Sequence, residues 1–264
     1  MKILFCSLAS GSSGNCHLIN DGKNSILIDA GLSGRRIENK LKRIDIDPKS
    51  LTAILVSHEH SDHICGVGVL SRRYNIPIYA NKGTWDGMNT KIGEIKESNI
   101  KYFNSAEDFN IKDFNIRPYN IPHDANEPVG FSIRKDKIKI SIVTDLGYID
   151  ENIIEQAEDS DLVVLESNHD VEMLKVCRYP YFLKRRILSN TGHLSNEAAG
   201  NAIVDLVNKN VGSILLGHLS KENNFPELAV ATVKNILESE KIVIGEDIGL
   251  DIAYRDRISS VYRF

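Results

Sequence analysis

The run Leu51-Thr52-Ala53-Ile54-Leu55-Val56-Ser57-His58-Glu59-His60-Ser61-Asp62-His63 constrains this chain most, because an apolar strand-like segment leads directly into four metal-competent side chains. Along an extended backbone the side-chain period is two, so His58 and His60 point the same way and Glu59 points away. Ser61 is predicted to cap a helix starting at Asp62, a turn that brings Asp62 and His63 to the same mouth from another angle. Imidazole and carboxylate together suit Zn, Mn or Fe, whereas calcium sites are built from oxygen and closed structural zinc sites mostly from thiolate. The set has the make-up of a catalytic centre.

What surrounds this run is ordinary. In 264 residues, 42% are hydrophobic and 26% charged, which fits a folded protein and excludes disordered, collagen-like and coiled-coil chains. No linker rich in Pro, Gly or Ser divides the sequence, so one domain over residues 1–264 is expected. No apolar run reaches the ~18–20 residues of a membrane span, and no signal peptide is expected. The four cysteines lack a metal-type CxxC pairing, which points to a reducing cytoplasm. A net charge of −4 excludes a uniformly basic nucleic-acid coat but leaves room for local basic clusters, such as Lys184-Arg185-Arg186.

Periodicity places strands at residues 2–8, 16–19, 26–28 and 53–57, with an amphipathic helix over 33–44 whose apolar positions are Ile37, Leu41 and Ile44. Strands follow at 109–121, 130–133 and 138–144, the last two joined by a hydrophilic turn over 134–137. The second half predicts helices at 151–157, 196–208 and 227–238, and strands at 162–165, 213–216, 242–244 and 250–254. Blocks of strands flanked by helices in two similar halves give an α/β protein with two mixed sheets.

The segment His58-Glu-His60-Ser-Asp62-His63 resembles the HxHxDH signature of the metallo-β-lactamase superfamily, and Asp29 in Ile-Leu-Ile-Asp29-Ala-Gly31 resembles its first motif. His123, Asp145 and His218 resemble the third, fourth and fifth motifs, in the superfamily's order. The resemblance implies an αββα metallo-β-lactamase sandwich with two divalent metal ions. One would be held by His58, His60 and His123, the other by Asp62, His63 and His218, with Asp145 bridging. Asp29 would accept an imidazole N–H behind the ligands. Zn and Mn are the expected metals, and Fe suits the same donors. A water between two ions is acidified enough to supply hydroxide at neutral pH, with Asp62 beside it to orient it and take its proton.

Within the superfamily, the stretch from Arg178 to Asn196, the loop Ser10-Gly11-Ser12-Ser13-Gly14-Asn15 and the segment Glu166-Ser-Asn168-His169-Asp170 resemble the YycJ (WalJ) group. That resemblance implies a cytoplasmic 5′-to-3′ exonuclease on double-stranded DNA. His193 would protonate the leaving oxygen, and Ser12, Ser13, Asn15 and His169 would face the substrate. A small-residue loop between strands also suits an oxyanion on physical grounds, through backbone N–H groups and hydroxyls. The alternatives are a small-molecule phosphodiester or thioester hydrolase of the same fold, and a non-enzymatic nucleic-acid-binding regulator. Against the last, all seven ligand positions carry competent side chains. The chain has no room between Asp145 and His218 for a large strand-gripping insertion, so a homodimer is one expected way to hold DNA.

Overall fold

The computed structural model describes residues 3–264. The expected first strand therefore falls partly, at Lys2, outside the described residues. The elements in chain order are β1 (Leu4–Ala9), β2 (Cys16–Asn20), β3 (Ser25–Ile28), α1 (Gly34–Lys42), β4 (Leu51–Leu55), α2 (Ser61–Ile64), α3 (Val67–Tyr74), β5 (Ile78–Ala80), α4 (Lys82–Ile92) and β6 (Ile100–Tyr102). They continue with β7 (Phe109–Ile111), β8 (Phe114–Asn120), β9 (Val129–Lys135), β10 (Ile138–Val143), α5 (Glu151–Ala157), β11 (Leu162–Glu166), α6 (Val171–Val176) and α7 (Tyr181–Ile187). The last are α8 (Asn196–Val207), β12 (Ser213–Gly217), α9 (Pro226–Ser239), β13 (Gly249–Ile252) and β14 (Val261–Arg263).

Two seven-stranded sheets result, in the orders β14-β1-β2-β3-β4-β5-β6 and β13-β12-β11-β10-β9-β8-β7. Each is mixed. In the first, β14, β1, β2 and β3 pair antiparallel, and β3 to β6 are parallel. In the second, β9 and β10 form the predicted hairpin and β10 to β13 are parallel. Parallel neighbours need crossovers, which α1, α3, α5, α8 and α9 help to supply. By contacts the chain divides into two compact units. The first comprises the residues up to Asn120, Ala125–Val129 and Tyr254–Phe264, and the second Ile121–Asp124 and Gly130–Ala253.

The core of the first unit draws its side chains from β1 to β5 and from α1, α3 and α4, among them Leu8, Leu18, Leu27, Ile37, Leu41, Ile54 and Trp85. The predicted pattern of α1 holds, since Ile37 and Leu41 are fully buried. In the second unit β11 is buried along its whole length, as a strand covered on both faces must be.

Three sequence expectations change. Residues 109–121 form the hairpin β7–β8, turned at Lys112 (φ 54°), where no Gly or Asn announces it. Residues 242–244 form no strand and make only the isolated bridge Ile244–Ile248. The helix after the histidine run starts at Ser61, with His60 in the cap position and no side-chain cap bond, so Ser61 is not the cap. The turn is closed instead by the His63 N–H donating to the His60 carbonyl at 3.0 Å.

In open parallel sheets, ligands gather beyond the carboxyl ends of the strands. Asp29 follows β3, His58 to His63 follow β4, Asp145 follows β10, Glu166 ends β11, and His218 follows β12. Among the described residues no helix is long and apolar enough to cross a membrane.

Candidate functional site

In the first unit Asp29 is the anchor. Its Oδ1 accepts the Ser57 backbone N–H at 2.9 Å, and its Oδ2 accepts the Ser57 hydroxyl at 2.8 Å and His63 Nδ1 at 2.8 Å. With His63 Nδ1 spent as a donor, Nε2 carries the ring's lone pair and is the nitrogen able to ligate an ion. The same logic reaches His58. The Ser57 hydroxyl gives its proton to Asp29 and lies 3.0 Å from His58 Nδ1, so it accepts from that nitrogen and puts the ring's lone pair on His58 Nε2. The His58 and His63 rings lie 4.0 Å apart, and His60 meets His58 edge-on at 4.7 Å. Crowding three imidazoles in this way, two of them fully buried, suits a cation between their lone pairs.

The loop before β2 braces this cluster. Asn15 donates its backbone N–H to the Asp62 carbonyl at 2.8 Å, and its Nδ2 lies 3.0 Å from His63 Nε2 and 3.5 Å from Asp62 Oδ2. Its Oδ1 accepts the Gly11 N–H at 2.8 Å, while Ser12 and Ser13 stand exposed at the loop tip. Gly31 lets the chains touch, since a Cβ there would lie 1.6 Å from the Asp62 carbonyl oxygen. On the other side Glu59 turns to a different partner from the histidines, as the period-two argument requires, and its Oε1 accepts the Asn126 N–H at 2.9 Å.

The second unit holds its own cluster. His123 Nδ1 faces the Gly192 carbonyl at 3.3 Å, and its Nε2 lies 3.9 Å from Asp145 Oδ1. Asp145 Oδ2 is 3.2 Å from His218 Nδ1. His193 packs against both imidazoles, with ring centres 5.3 Å from His123 and 5.2 Å, nearly parallel, from His218. Asp145, Glu166, His193 and His218 offer donor atoms within 4.8 Å of one another. Glu166 has little left to give an ion. Its Oε1 takes His193 Nδ1 at 2.8 Å, and its Oε2 accepts the N–H groups of Leu146 at 2.9 Å and Leu194 at 3.4 Å. The geometry therefore makes it the group that orients His193 through Nδ1.

Backbone conformation marks the same residues. Asp29, Asp145 and His218 adopt left-handed φ of 59°, 64° and 54°. The other seven non-glycine residues with positive φ are all exposed, whereas these three are buried. Buried strain of this kind persists only where the surroundings fix it, and it clusters at functional sites. A polar web supports His218. Asn168 Nδ2 donates to its carbonyl at 2.9 Å, and Asn224 Nδ2 donates to the carbonyls of Ser167 and Asn168 and to Asn196 Oδ1. His169 is buried at 1% exposure with neither ring nitrogen hydrogen-bonded, and burial holds its pKa down at about 4.

Sequence reasoning missed Ser57, Glu59 and Glu166 as site residues. Glu166 had a signal: a carboxylate closing the otherwise apolar strand Leu162-Val-Val-Leu needs a buried partner. Residues 24–218 match a family described as "Beta-lactamase superfamily domain". The chain belongs to this superfamily. It is 39% identical over 246 residues to the exodeoxyribonuclease YycJ of Bacillus anthracis, covering 93% of each chain. To the exodeoxyribonuclease WalJ of Streptococcus pneumoniae serotype 2 (strain D39 / NCTC 7466) it is 42% identical over 242 residues, 91% of this chain and 90% of the relative. The metallo-β-lactamase fold protein YhfI of Bacillus subtilis superposes with a TM-score of 0.77 at 18% identity, covering all of both chains. The protein thus has the metallo-β-lactamase fold, with two mixed sheets flanked by helices. Its His and Asp donor set is one for divalent metal.

Proposed function

We propose that the protein is a metal-dependent exodeoxyribonuclease that degrades double-stranded DNA from the 5′ end. The end-to-end likeness to YycJ and WalJ carries this reading, and the complete set of ligand-type residues supports it. In it, His58, His60 and His123 would hold one divalent ion and Asp62, His63 and His218 a second, with Asp145 available to both. Zn, Mn and Fe all suit these donors. When bound, such ions bring the pKa of a coordinated water toward ~7 and neutralise charge building on the attacked phosphate.

The protein's own residues do the remainder. Asp29 and Ser57 hold the imidazoles in one tautomer. Asp62, a half-buried carboxylate, orients the attacking water and accepts its proton. His193, held by Glu166 at Nδ1, gives a proton from Nε2 to the leaving oxygen. Ser12 and Ser13 face the substrate from their exposed loop, with Asn15 at its base. His169, an unpartnered neutral ring, accepts or donates one hydrogen bond to a bound group. Cytoplasmic placement goes with a DNA substrate and four free cysteines.

The test is a duplex labelled at the 5′ end in one sample and at the 3′ end in another. Early release of labelled mononucleotide from the 5′-labelled duplex alone supports the reading. Early release from the 3′ label reverses the polarity. Intact DNA in both samples, with metal bound, removes the nuclease assignment.

A further inference from the structure

Helix α7 and the segment leading to it carry a surface that the metal-binding residues do not use. Tyr181 and Phe182 are 75% and 73% exposed, and Val176 is 83% exposed. No residue of α7 is buried. Leaving two aromatic rings of consecutive residues in water is unfavourable, and exposed apolar groups close together in the chain point to a binding surface. The charge around them selects the partner. From residue 173 to residue 196 there is no Asp or Glu, and there are five Lys or Arg residues, in a chain whose net charge is −4. Arg178 and Arg185 are exposed, and Arg185 lies 6.0 Å over the Tyr181 ring, one helical turn away. The helix is also tied to the second unit's cluster. The His193 N–H donates to the Ile187 carbonyl at 3.0 Å, and Arg186 pairs with Asp124, the neighbour of His123. Gly192 is packed so closely that a Cβ there would come 2.2 Å from the same Ile187 carbonyl oxygen.

We propose that the Tyr181–Phe182 face of α7, flanked by Arg178 and Arg185, binds a single strand of nucleic acid, its bases stacked on the two rings and its phosphates on the two guanidinium groups. Every base has a π-face, so such a platform is sequence-tolerant. The proposal rests on the nuclease reading for its biological sense. Physically, it rests on aromatic exposure and charge alone. It names the unpaired end of the duplex as the occupant and supplies the grip that the chain lacks an inserted domain to provide.

The test measures binding of a fluorescein-labelled single-stranded oligonucleotide by anisotropy, with chelator present so that cleavage plays no part. Tyr181→Ala/Phe182→Ala should weaken binding by about tenfold or more, given the ~1–3 kcal/mol that one stacked base contributes. Tyr181→Phe should bind like the parent protein. Arg178→Ala/Arg185→Ala should weaken binding and flatten its dependence on salt. Both rings are exposed, so the thermal unfolding curve of the aromatic variant should be unchanged. Parent-like binding by the aromatic variant overturns the proposal. So does a dimer-to-monomer change in that variant with strand affinity retained, which makes the face a self-association surface. Failure of the parent protein to cleave duplex DNA in a separate metal-loaded assay sinks the nuclease reading and leaves the binding result to decide this one.

Discussion

His193 and Asp29 do different work through the same device, a carboxylate fixing Nδ1 of an imidazole. Their variants should separate cleanly. His193→Ala keeps metal bound and slows phosphodiester cleavage by ~10²–10⁴, the range for losing general acid help, and Glu166→Gln shifts the pH–rate profile with metal content unchanged. Single-turnover kinetics beside metal analysis checks both. Asp29→Ala releases His63 Nδ1 and the Ser57 hydroxyl, so on the proposed assignment metal affinity should fall ~10–100-fold, as competition with a chromophoric chelator measures. His169 makes a prediction about stability. Burial holds its pKa at about 4 in the folded chain against 6.5 for an ordinary histidine, so between those values the unfolded chain binds the extra proton. Stability therefore falls as pH drops through that window and levels off below it. Urea unfolding of His169→Gln should lose up to ~1.4 kcal/mol per pH unit of that slope relative to the parent. An identical slope in the two proteins contradicts the buried neutral ring.

At the scale of elements, each group of site residues is presented by a strand end and a tight crossing behind it. Gly31 is the clearest such crossing, where the turn after β3 meets the Asp62 carbonyl too closely for any side chain. Gly31→Ala forces the His58–His63 turn outward. It should destabilise the protein by on the order of 1–3 kcal/mol or more and lower metal content, as denaturant unfolding and metal analysis together show. Legibility in the sequence follows the same physics. The strand leading to His58, helix α1 and the β9–β10 hairpin were readable because their apolar periods are unbroken. The β7–β8 turn was not, because Lys112 takes a left-handed conformation where no Gly or Asn stands. Helices α3 and α4 were missed because glycines thin their apolar pattern. Gly68 and Gly87 are there for close packing, with a Cβ at 2.0 Å from the Ile92 carbonyl oxygen in one case and 2.4 Å from Glu59 Cγ in the other.

For the whole molecule, the sequence order of the motifs was enough to identify the superfamily, because His and Asp residues at successive strand ends must appear in the order in which the topology lays down the strands. The supporting residues were less legible. Ser57 and Glu166 matter through partners 28 and 27 residues away, Asp29 and His193, and no local pattern announces such pairings. The basic–aromatic stretch was visible as composition, but only the exposure of Tyr181 and Phe182 makes it a surface. The central claim is that these residues make one metal-dependent nuclease. Its most direct test is nucleotide release from end-labelled duplex DNA by metal-quantified protein, run with chelator, with Mn or Zn restored, and with Asp145→Ala alongside. The account predicts release that chelation stops, that added metal restores, and that Asp145→Ala loses together with its metal. Release that survives chelation, or full activity in Asp145→Ala, contradicts it.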